Sequence, residues 1–406
     1  MKTILVTAYA INPFKGSEDG MGWNFVLQIA RFHNVIAITR QNNRLHIEKY
    51  MAENPSELYE NMQFLYFDLP YWMRFWKKGG RGAMLYYLMW QQGIVSFIEK
   101  QNLNFDIVHN LNFHNDWTPS FLWKLKKPFV WGSIGHHPLI PSQYLAPYAK
   151  KYWLKDRLTW LVKTYFWKLS PSLKKTIKKA DHILCMNTSV PKALGLTSDY
   201  SIVPSVATQD FGWNCSQEKK EKFTLISAGR FVPLKGFDLA IRSYSQFLGG
   251  LQPGERDQCK LILVGSGPEE KYLKSLAVEL GNANSIQFIN WIERDQLMEK
   301  FKASSAFLFP SHEGAGMVVA EALSFGLPVI CLDNEGPGQF INSDCSFAIP
   351  HDEYADTVKG LANAIQELFI TSGKKTEMSR AARKQFETFF HWNRRGEQLR
   401  KIYAEL

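Results

Sequence analysis

FPSHEGAGMVVAEALSFGLPVI, residues 309–330, holds the end of one apolar run, a tight glycine-bearing loop, a helical segment and the start of a second apolar run. The complete runs are SAFLFPS (305–311) and LPVICLD (327–333). Short, continuous apolar runs of this kind suit strands buried on both faces, and a helix between two of them is the crossover of a parallel βαβ unit. FTLISAGR (223–230), KLILVGSG (260–267) and SIQFINWI (285–292) repeat the theme upstream. The first half alternates in the same way. Its apolar runs are ILVTAYA (4–10), NVIAITR (34–40), QFLYFDL (63–69), DIVHNL (106–111), PFVWGSI (128–134) and HILCMN (182–187), with helical-period segments such as WNFVLQIARF (23–32) and LYYLMWQQGIVSFIEK (85–100) between them. The pattern predicts an α/β chain of two doubly wound parallel-sheet domains, 1–205 and 206–385, joined near YSIVPSVATQ (200–209). Such sheets bind ligands at the carboxyl ends of their strands, and two of them facing each other make a cleft.

Length and composition agree with two cores. The chain has 406 residues, of which 45% are apolar and 21% charged. One hydrophobic core rarely organises so many residues, and the charge is too low for general disorder. The net charge of +10 is unevenly spread: residues 1–205 carry +12 and the remainder −2. In the first half, basic residues alternate with large aromatics in 71–90 and again in 148–179. That composition suits a surface resting on anionic lipid; the alternative is a solvated helix face whose aromatics enter the core. A nucleic-acid-binding protein would share the basic half, but no recognised module appears, and its glycine and glutamate loops would have no role there. The five cysteines, Cys185, Cys215, Cys259, Cys331 and Cys345, are odd in number and lack a CxxC pair, which fits a reducing cytoplasm. MKTILVTAYA reads as a first buried strand rather than a leader, and no run of about 18 apolar residues is present, so any membrane contact is expected to be peripheral, on the inner face.

The chemistry-bearing residues sit at strand ends. In SAGRFVPLKGF (227–237), Arg230 ends a strand and Lys235 follows five residues later, two cations suited to clamping a diphosphate. VGSGPEEKYL (264–273) turns through Gly265 and Gly267 into a helix. In 309–330, Glu313 lies in the loop, the amides of Gly314, Ala315, Gly316 and Met317 cluster at the helix start, and Glu321 follows eight positions after Glu313. A carboxylate beside such amides can hold a sugar while they bind its phosphates, and one further along can accept ribose hydroxyls. Taken alone, either glutamate also reads as a helix N-terminal charge or an ion-pair partner. After the first strand, FKGSEDGMGW (14–23) places Gly16, Gly20 and Gly22 where backbone amides approach an anion. Its spacing is not GxGxxG and no acidic residue closes the second strand, which disfavours a dinucleotide site.

The ordered set of Arg230, Lys235, GxGP and E-x7-E resembles the retaining glycosyltransferases of sequence family 4, over nearly the whole chain and most specifically from Gly229 to Pro328. The resemblance implies a GT-B fold, with the nucleotide-sugar donor in the second domain and a glycan or lipid-linked acceptor on the first. It implies that Arg230 and Lys235, with the 314–317 amides, neutralise the donor diphosphate, that Glu313 contacts the transferred sugar, and that Glu321 binds the ribose. It also implies that Gly265, Gly267, Trp291 and Ile292 lie on the ribose and base side. GSEDGMGW resembles the loop these enzymes place over donor phosphates, through Gly16, and over the acceptor, through Gly20 and Gly22. FFHWNRRGEQLRKIYAEL (389–406) resembles the terminal helix, here 386–406, that crosses back to the first domain. Members often carry two histidines one residue apart near the reacting sugar. This chain has His109 and His114 in that region, each of which fits an active-site or a core role, and His136 and His137 fit the acceptor side. No cofactor and no metal are implied, because two cations already match the phosphate charge and no ligand-spaced carboxylate or Cys joins the paired histidines. A sugar phosphorylase or nucleotide-sugar epimerase of the same fold is the nearest alternative.

Overall fold

The computed structural model describes residues 1–111, 115–212 and 222–406. Its contacts divide the chain into two compact units. Met1–His136, Trp160–Ser205 and Trp392–Leu406 form the first, and His137–Thr159 with Val206–His391 form the second.

Among the described residues the first unit is built on a seven-stranded sheet of order β3-β2-β1-β4-β5-β6-β7. The strands are β1 (Thr3–Ala8), β2 (Asn34–Thr39), β3 (Met62–Tyr66), β4 (Ile107–Leu111), β5 (Phe129–Ile134), β6 (His182–Cys185) and β7 (Tyr200–Ile202). Every neighbouring pair is parallel. The order reverses between β1 and β4, so the crevice beyond their carboxyl ends is a topological switch point. The inner strands β4 and β5 are buried at every residue, which is why they read as continuous apolar runs. Helix Ala83–Lys100 presents Tyr86, Tyr87, Trp90, Ile94 and Ile98 to one sheet face, positions at helical spacing in a single core. The terminal helix Trp392–Glu405 packs beside helix Ser17–Ala30, with the Trp392 and Phe25 rings edge-on at 5.6 Å.

The second unit has a six-stranded sheet, again among the described residues, of order β10-β9-β8-β11-β12-β13. These strands are β8 (Phe223–Ala228), β9 (Cys259–Val264), β10 (Ile286–Ile289), β11 (Ala306–Phe309), β12 (Val329–Leu332) and β13 (Ser346–Ile349), all parallel. Its switch point lies between β8 and β11, the strands that lead into the Arg230 and Glu313 loops. The expected α/β class and doubly wound parallel topology are therefore observed in both units.

Segment 137–159 was expected to lie within the first domain, yet it packs with the second unit. Ile140, Tyr144 and Leu145 enter that unit's core. Tyr144 donates to Thr357 Oγ1 at 2.8 Å, and the Tyr148 hydroxyl donates to Asp238 Oδ1 at 2.6 Å. Tyr152 closes the series on Glu269. At the other end of the chain, the part belonging to the first unit begins at Trp392 rather than at residue 386.

Candidate functional site

In the second unit, β8 ends at Ala228, Gly229 follows at φ +152°, and Arg230 stands exposed just beyond it. The chain then makes a short 3-10 turn, Pro233–Lys235, and enters helix Phe237–Gly249 through Gly236 at φ +64°. A Cβ on Gly236 would lie 1.9 Å from the Pro310 carbonyl oxygen, so only glycine lets this turn meet the loop after β11. Ser311 Oγ donates to the Leu234 carbonyl at 3.1 Å and the His312 N–H donates to the same oxygen at 2.9 Å. Asn334 Nδ2 donates to the Ser311 carbonyl at 2.8 Å. These bonds bring three segments distant in sequence to one point.

Lys235 and Glu313 meet there. Lys235 Nζ donates to Glu313 Oε2 at 2.6 Å, with both side chains mostly buried, and the ammonium lies 5.3 Å from the Phe309 ring centroid. Immediately after Glu313 the chain enters helix Met317–Ser324. The Val319 N–H donates to the Gly316 carbonyl at 3.0 Å, and the helix start forms the positive end of the helix dipole. The Gly314 N–H donates to His137 Nδ1 at 3.2 Å, which places the imidazole of His137 against this loop in the second unit. Gly314, Ala315, Gly316 and Met317 follow Glu313 directly in the chain and lead into that helix, with the Gly314 amide taken up by His137.

Glu321 is buried on helix Met317–Ser324 and accepts from Arg294 Nη2 at 2.6 Å. Burial pushes its carboxyl above the usual range, and the guanidinium pulls against that shift. Arg294 was not singled out in the sequence, because nothing in RDQLMEKFKA marks it as facing a helix 27 positions on. His312 was also missed. Burial holds its ring neutral, its pKa pushed down to about 3; it packs 4.6 Å from Tyr144, and Nε2 has no partner among the described residues.

Gly265 and Gly267 make a backbone contact rather than an open cradle. A Cβ on Gly265, at φ +149°, would lie 1.9 Å from the Gly229 oxygen, and one on Gly267 would lie 2.4 Å from the Phe231 oxygen. Trp291 is exposed, while Ile292 packs against the core beneath.

The first-unit residues are arranged differently from expectation. Gly20 and Gly22 lie buried inside helix Ser17–Ala30, not in a loop, while Gly16 is the exposed cap before it. A Cβ on Gly20 would lie 2.2 Å from the Lys15 oxygen. Beside them Glu18, which the sequence reading passed over, has a carboxyl raised to about 7 by burial and by the neighbouring Asp19 charge. His109, the first choice for a catalytic histidine, is fully buried on β4. Its Nε2–H donates to the Gly132 carbonyl and its Nδ1 accepts from the Tyr403 hydroxyl, both at 2.6 Å. Burial lowers its pKa to about 4, so the ring is neutral and both nitrogens are used. It ties β4 to β5 and to the terminal helix, and the structure offers it no open nitrogen for a substrate. His114 lies outside the described residues. His136 belongs to the first unit, where Nδ1 bonds Asp116 Oδ2 at 2.7 Å, so the two neighbouring histidines are in different units. Among the described residues no three His, Cys, Asp or Glu side chains form a metal-binding cluster.

Residues 214–385 match the family model described as glycosyl transferases group 1. A D-inositol 3-phosphate glycosyltransferase of Acidothermus cellulolyticus is 31% identical over 193 residues, which are 45% of this chain and 40% of that protein. The chain spans about half or less of the length of the curated relatives it matches. WaaG, described as a glycosyltransferase involved in lipopolysaccharide biosynthesis, superposes with a TM-score of 0.63 at 17% identity, covering 98% of this chain and 99% of that one. HepE from Anabaena, solved with UDP and glucose, gives 0.61 at 15% identity and covers all of both chains. At those identities the likeness is one of fold, and the fold is GT-B.

Proposed function

We propose that the chain, whose residues 214–385 match the model of the group 1 glycosyl transferases, is a glycosyltransferase that moves a sugar from a nucleoside diphosphate sugar to a hydroxyl of a glycan or lipid-linked acceptor. The observation that carries this reading is the Lys235–Glu313 pair, just before the N-terminus of helix Met317–Ser324, with Arg230 at the neighbouring strand end. Arg230, Lys235 and the amides supply positive charge where a diphosphate leaves, and the charge on the two side chains lets the transfer proceed without a metal. Glu313 holds Lys235 through Oε2, which leaves Oε1 for a sugar hydroxyl. Arg294 holds Glu321, to which the ribose is assigned, and the backbone near Trp291 and Ile292 is assigned to the base.

The reaction proposed retains configuration at the anomeric carbon. With no side chain among the described residues assigned as a covalent nucleophile, the acceptor oxygen attacks on the face the leaving group departs from, through an oxocarbenium-like state. The departing diphosphate takes the acceptor's proton, while Arg230 and Lys235 stabilise its negative charge. The relatives named above support a sugar donor activated by a nucleotide and an acceptor of the cell envelope. The proposed location is the cytoplasmic face of a membrane. No helix among the described residues is long and apolar enough to cross one, and the exposed Leu161, Val162, Tyr165 and Leu169 beside a lysine-rich helix support peripheral contact.

Thermal shift across UDP-, GDP- and ADP-sugars tests the donor, since a ligand that binds only the folded state raises the melting temperature. A labelled donor with product analysis by NMR then separates transfer with retention from phosphorolysis and epimerisation. Absence of any nucleotide-sugar shift would remove the transferase reading.

A further inference from the structure

The first unit carries a second concentration of positive charge that the donor chemistry does not use. A cavity of about 210 Å³ opens beyond the carboxyl ends of β2 and β3, lined by Arg40, Arg74, Lys77, Asp68 and Tyr86 with the Gln41–Asn42 turn. It is smaller than the ~300–1,000 Å³ of pockets that enclose a drug-sized ligand, and suits one compact charged group rather than a whole substrate.

Three cations face one carboxylate. Arg40 is fixed as a wall: its Nε donates to the Tyr9 carbonyl at 2.9 Å and its guanidinium lies 4.1 Å from the Tyr9 ring centroid. Asp68 is also occupied, accepting from Tyr86 Oη at 2.5 Å and from the Gln41 N–H at 3.1 Å. Among the described residues no carboxylate lies within ion-pairing distance of Arg40, Arg74 or Lys77. Among the described residues Arg74 Nε is buried with no acceptor, and Lys77 Nζ makes a long hydrogen bond to the Gly79 carbonyl at 3.5 Å and lies 5.5 Å from the Tyr86 ring centroid. Burial and the neighbouring Arg40 and Arg74 charges lower the pKa of Lys77, with Asp68 opposing. A half-buried group of cations with an unsatisfied guanidinium nitrogen is costly unless an anion completes it.

We infer that this cavity binds a phosphate group, held by Arg74 and Lys77 against the fixed guanidinium of Arg40, and that the phosphate belongs to the acceptor. As an anion site the inference stands on the cavity alone; its assignment to the acceptor rests on the transferase reading. Planar Arg forks with an added Lys match the oxygens of a phosphate ester better than the two oxygens of a carboxylate. The same segment carries exposed Tyr71, Trp72 and Phe75 around Arg74, so the phosphate is either that of a free sugar phosphate or that of a lipid headgroup.

The test uses the full chain with Arg230→Gln/Lys235→Gln as background, which removes both side chains expected to hold the donor phosphates. Inorganic phosphate is titrated by calorimetry, and phosphatidic acid vesicles by co-sedimentation, with and without Arg74→Gln/Lys77→Gln. Both residues are half-buried, and matched melting temperatures check that the fold is kept. Loss of phosphate binding by about tenfold or more in the double variant supports a free phosphate ester. Loss of vesicle binding alone supports a lipid phosphate. Unchanged binding of both probes overturns the inference, as does acetate binding as tightly as phosphate. Nucleotide-sugar thermal shifts of Arg74→Gln/Lys77→Gln in the chain that keeps Arg230 and Lys235 hold the two readings apart: their absence in the parent chain defeats the transferase reading while the phosphate isotherm still reports on the cavity.

Discussion

At the scale of single residues, the two glutamates and the two histidines show what a sequence carries and what it withholds. Glu313 and Glu321 were legible because a strand, a loop and a helix in order fix where their side chains can be. Their partners, Lys235 at 2.6 Å and Arg294 at 2.6 Å, come from loops that only the folded sheet brings near. Glu313→Gln should keep the fold and the Lys235 contact through its amide oxygen, while lowering the transfer rate by about 10²–10³-fold in a steady-state assay; near-parental turnover would remove Glu313 from the site. His109 is the converse case. A histidine near a strand end looks catalytic in sequence, but β4 is central and buried at every position. Its folded pKa of about 4 lies below the unfolded value, so its contribution to stability is present above about pH 6.5 and is lost as pH falls towards 4. Glu18, raised to about 7, runs the other way and loses its contribution as pH rises from about 4.5 to 7. Denaturant titrations of parent and His109→Gln, compared at two pH values, cancel the Glu18 effect. The stability gap between them should shrink by about 2 kcal/mol from pH 7 to pH 5, and a constant gap would mean that the ring titrates normally.

At the scale of elements, nearly every buried strand was legible, because parallel strands covered on both faces leave continuous apolar runs. The two that were missed, Tyr200–Ile202 and Ser346–Ile349, are three- and four-residue edge strands with residues open to solvent. Segment 137–159 was misassigned for another reason: chain neighbours were taken to be spatial neighbours. Its docking depends on tyrosines whose value shows only against their acceptors. Asp238 is the centre of that contact, accepting from Tyr148 at 2.6 Å and from Tyr354 at 2.7 Å, and burial raises its pKa against those bonds. Asp238→Ala strands both hydroxyls and should cost about 1–3 kcal/mol in unfolding free energy, with faster proteolysis within 137–159. Proteolysis spread evenly along the chain would show that the segment is held by its apolar side chains alone. Gly265→Ala tests the glycine contacts by a different route. With 1.9 Å between the new Cβ and the Gly229 oxygen, and φ at +149°, the β8 and β9 loops must separate. A melting temperature close to the parent's would show that this junction is not tight.

At the scale of the whole molecule, the charge imbalance was visible in the sequence but its arrangement was not. Helix Pro171–Lys179 starts on a Ser170 cap, buries Leu173 and Thr176, and turns Lys174, Lys175, Lys178 and Lys179 outward. Just before it, in residues 160–169, Phe166 and Trp167 pack against the core of the first unit, so part of the aromatic content is ordinary packing. The rest is not: Leu161 is 69% and Leu169 66% exposed, with Val162 and Tyr165 beside them on the same helical face. An exposed apolar helix face followed in the chain by a lysine-bearing helix suits an interfacial contact, in which apolar side chains enter the headgroup boundary and each cation near an anionic surface adds about 1 kcal/mol. Two variant sets separate these contributions. Leu161→Ser/Tyr165→Ser/Leu169→Ser removes the apolar face and leaves the charge, whereas glutamine at the four lysines does the reverse. On phosphatidylglycerol vesicles at low ionic strength, each set should weaken co-sedimentation by about tenfold or more. Raising salt to about 1 M, where the Debye length falls to about 3 Å, should release the serine variant first, because charge is all that holds it. If neither set changes binding, or the parent chain stays in the supernatant, the basic excess serves solubility and the exposed leucines have another partner.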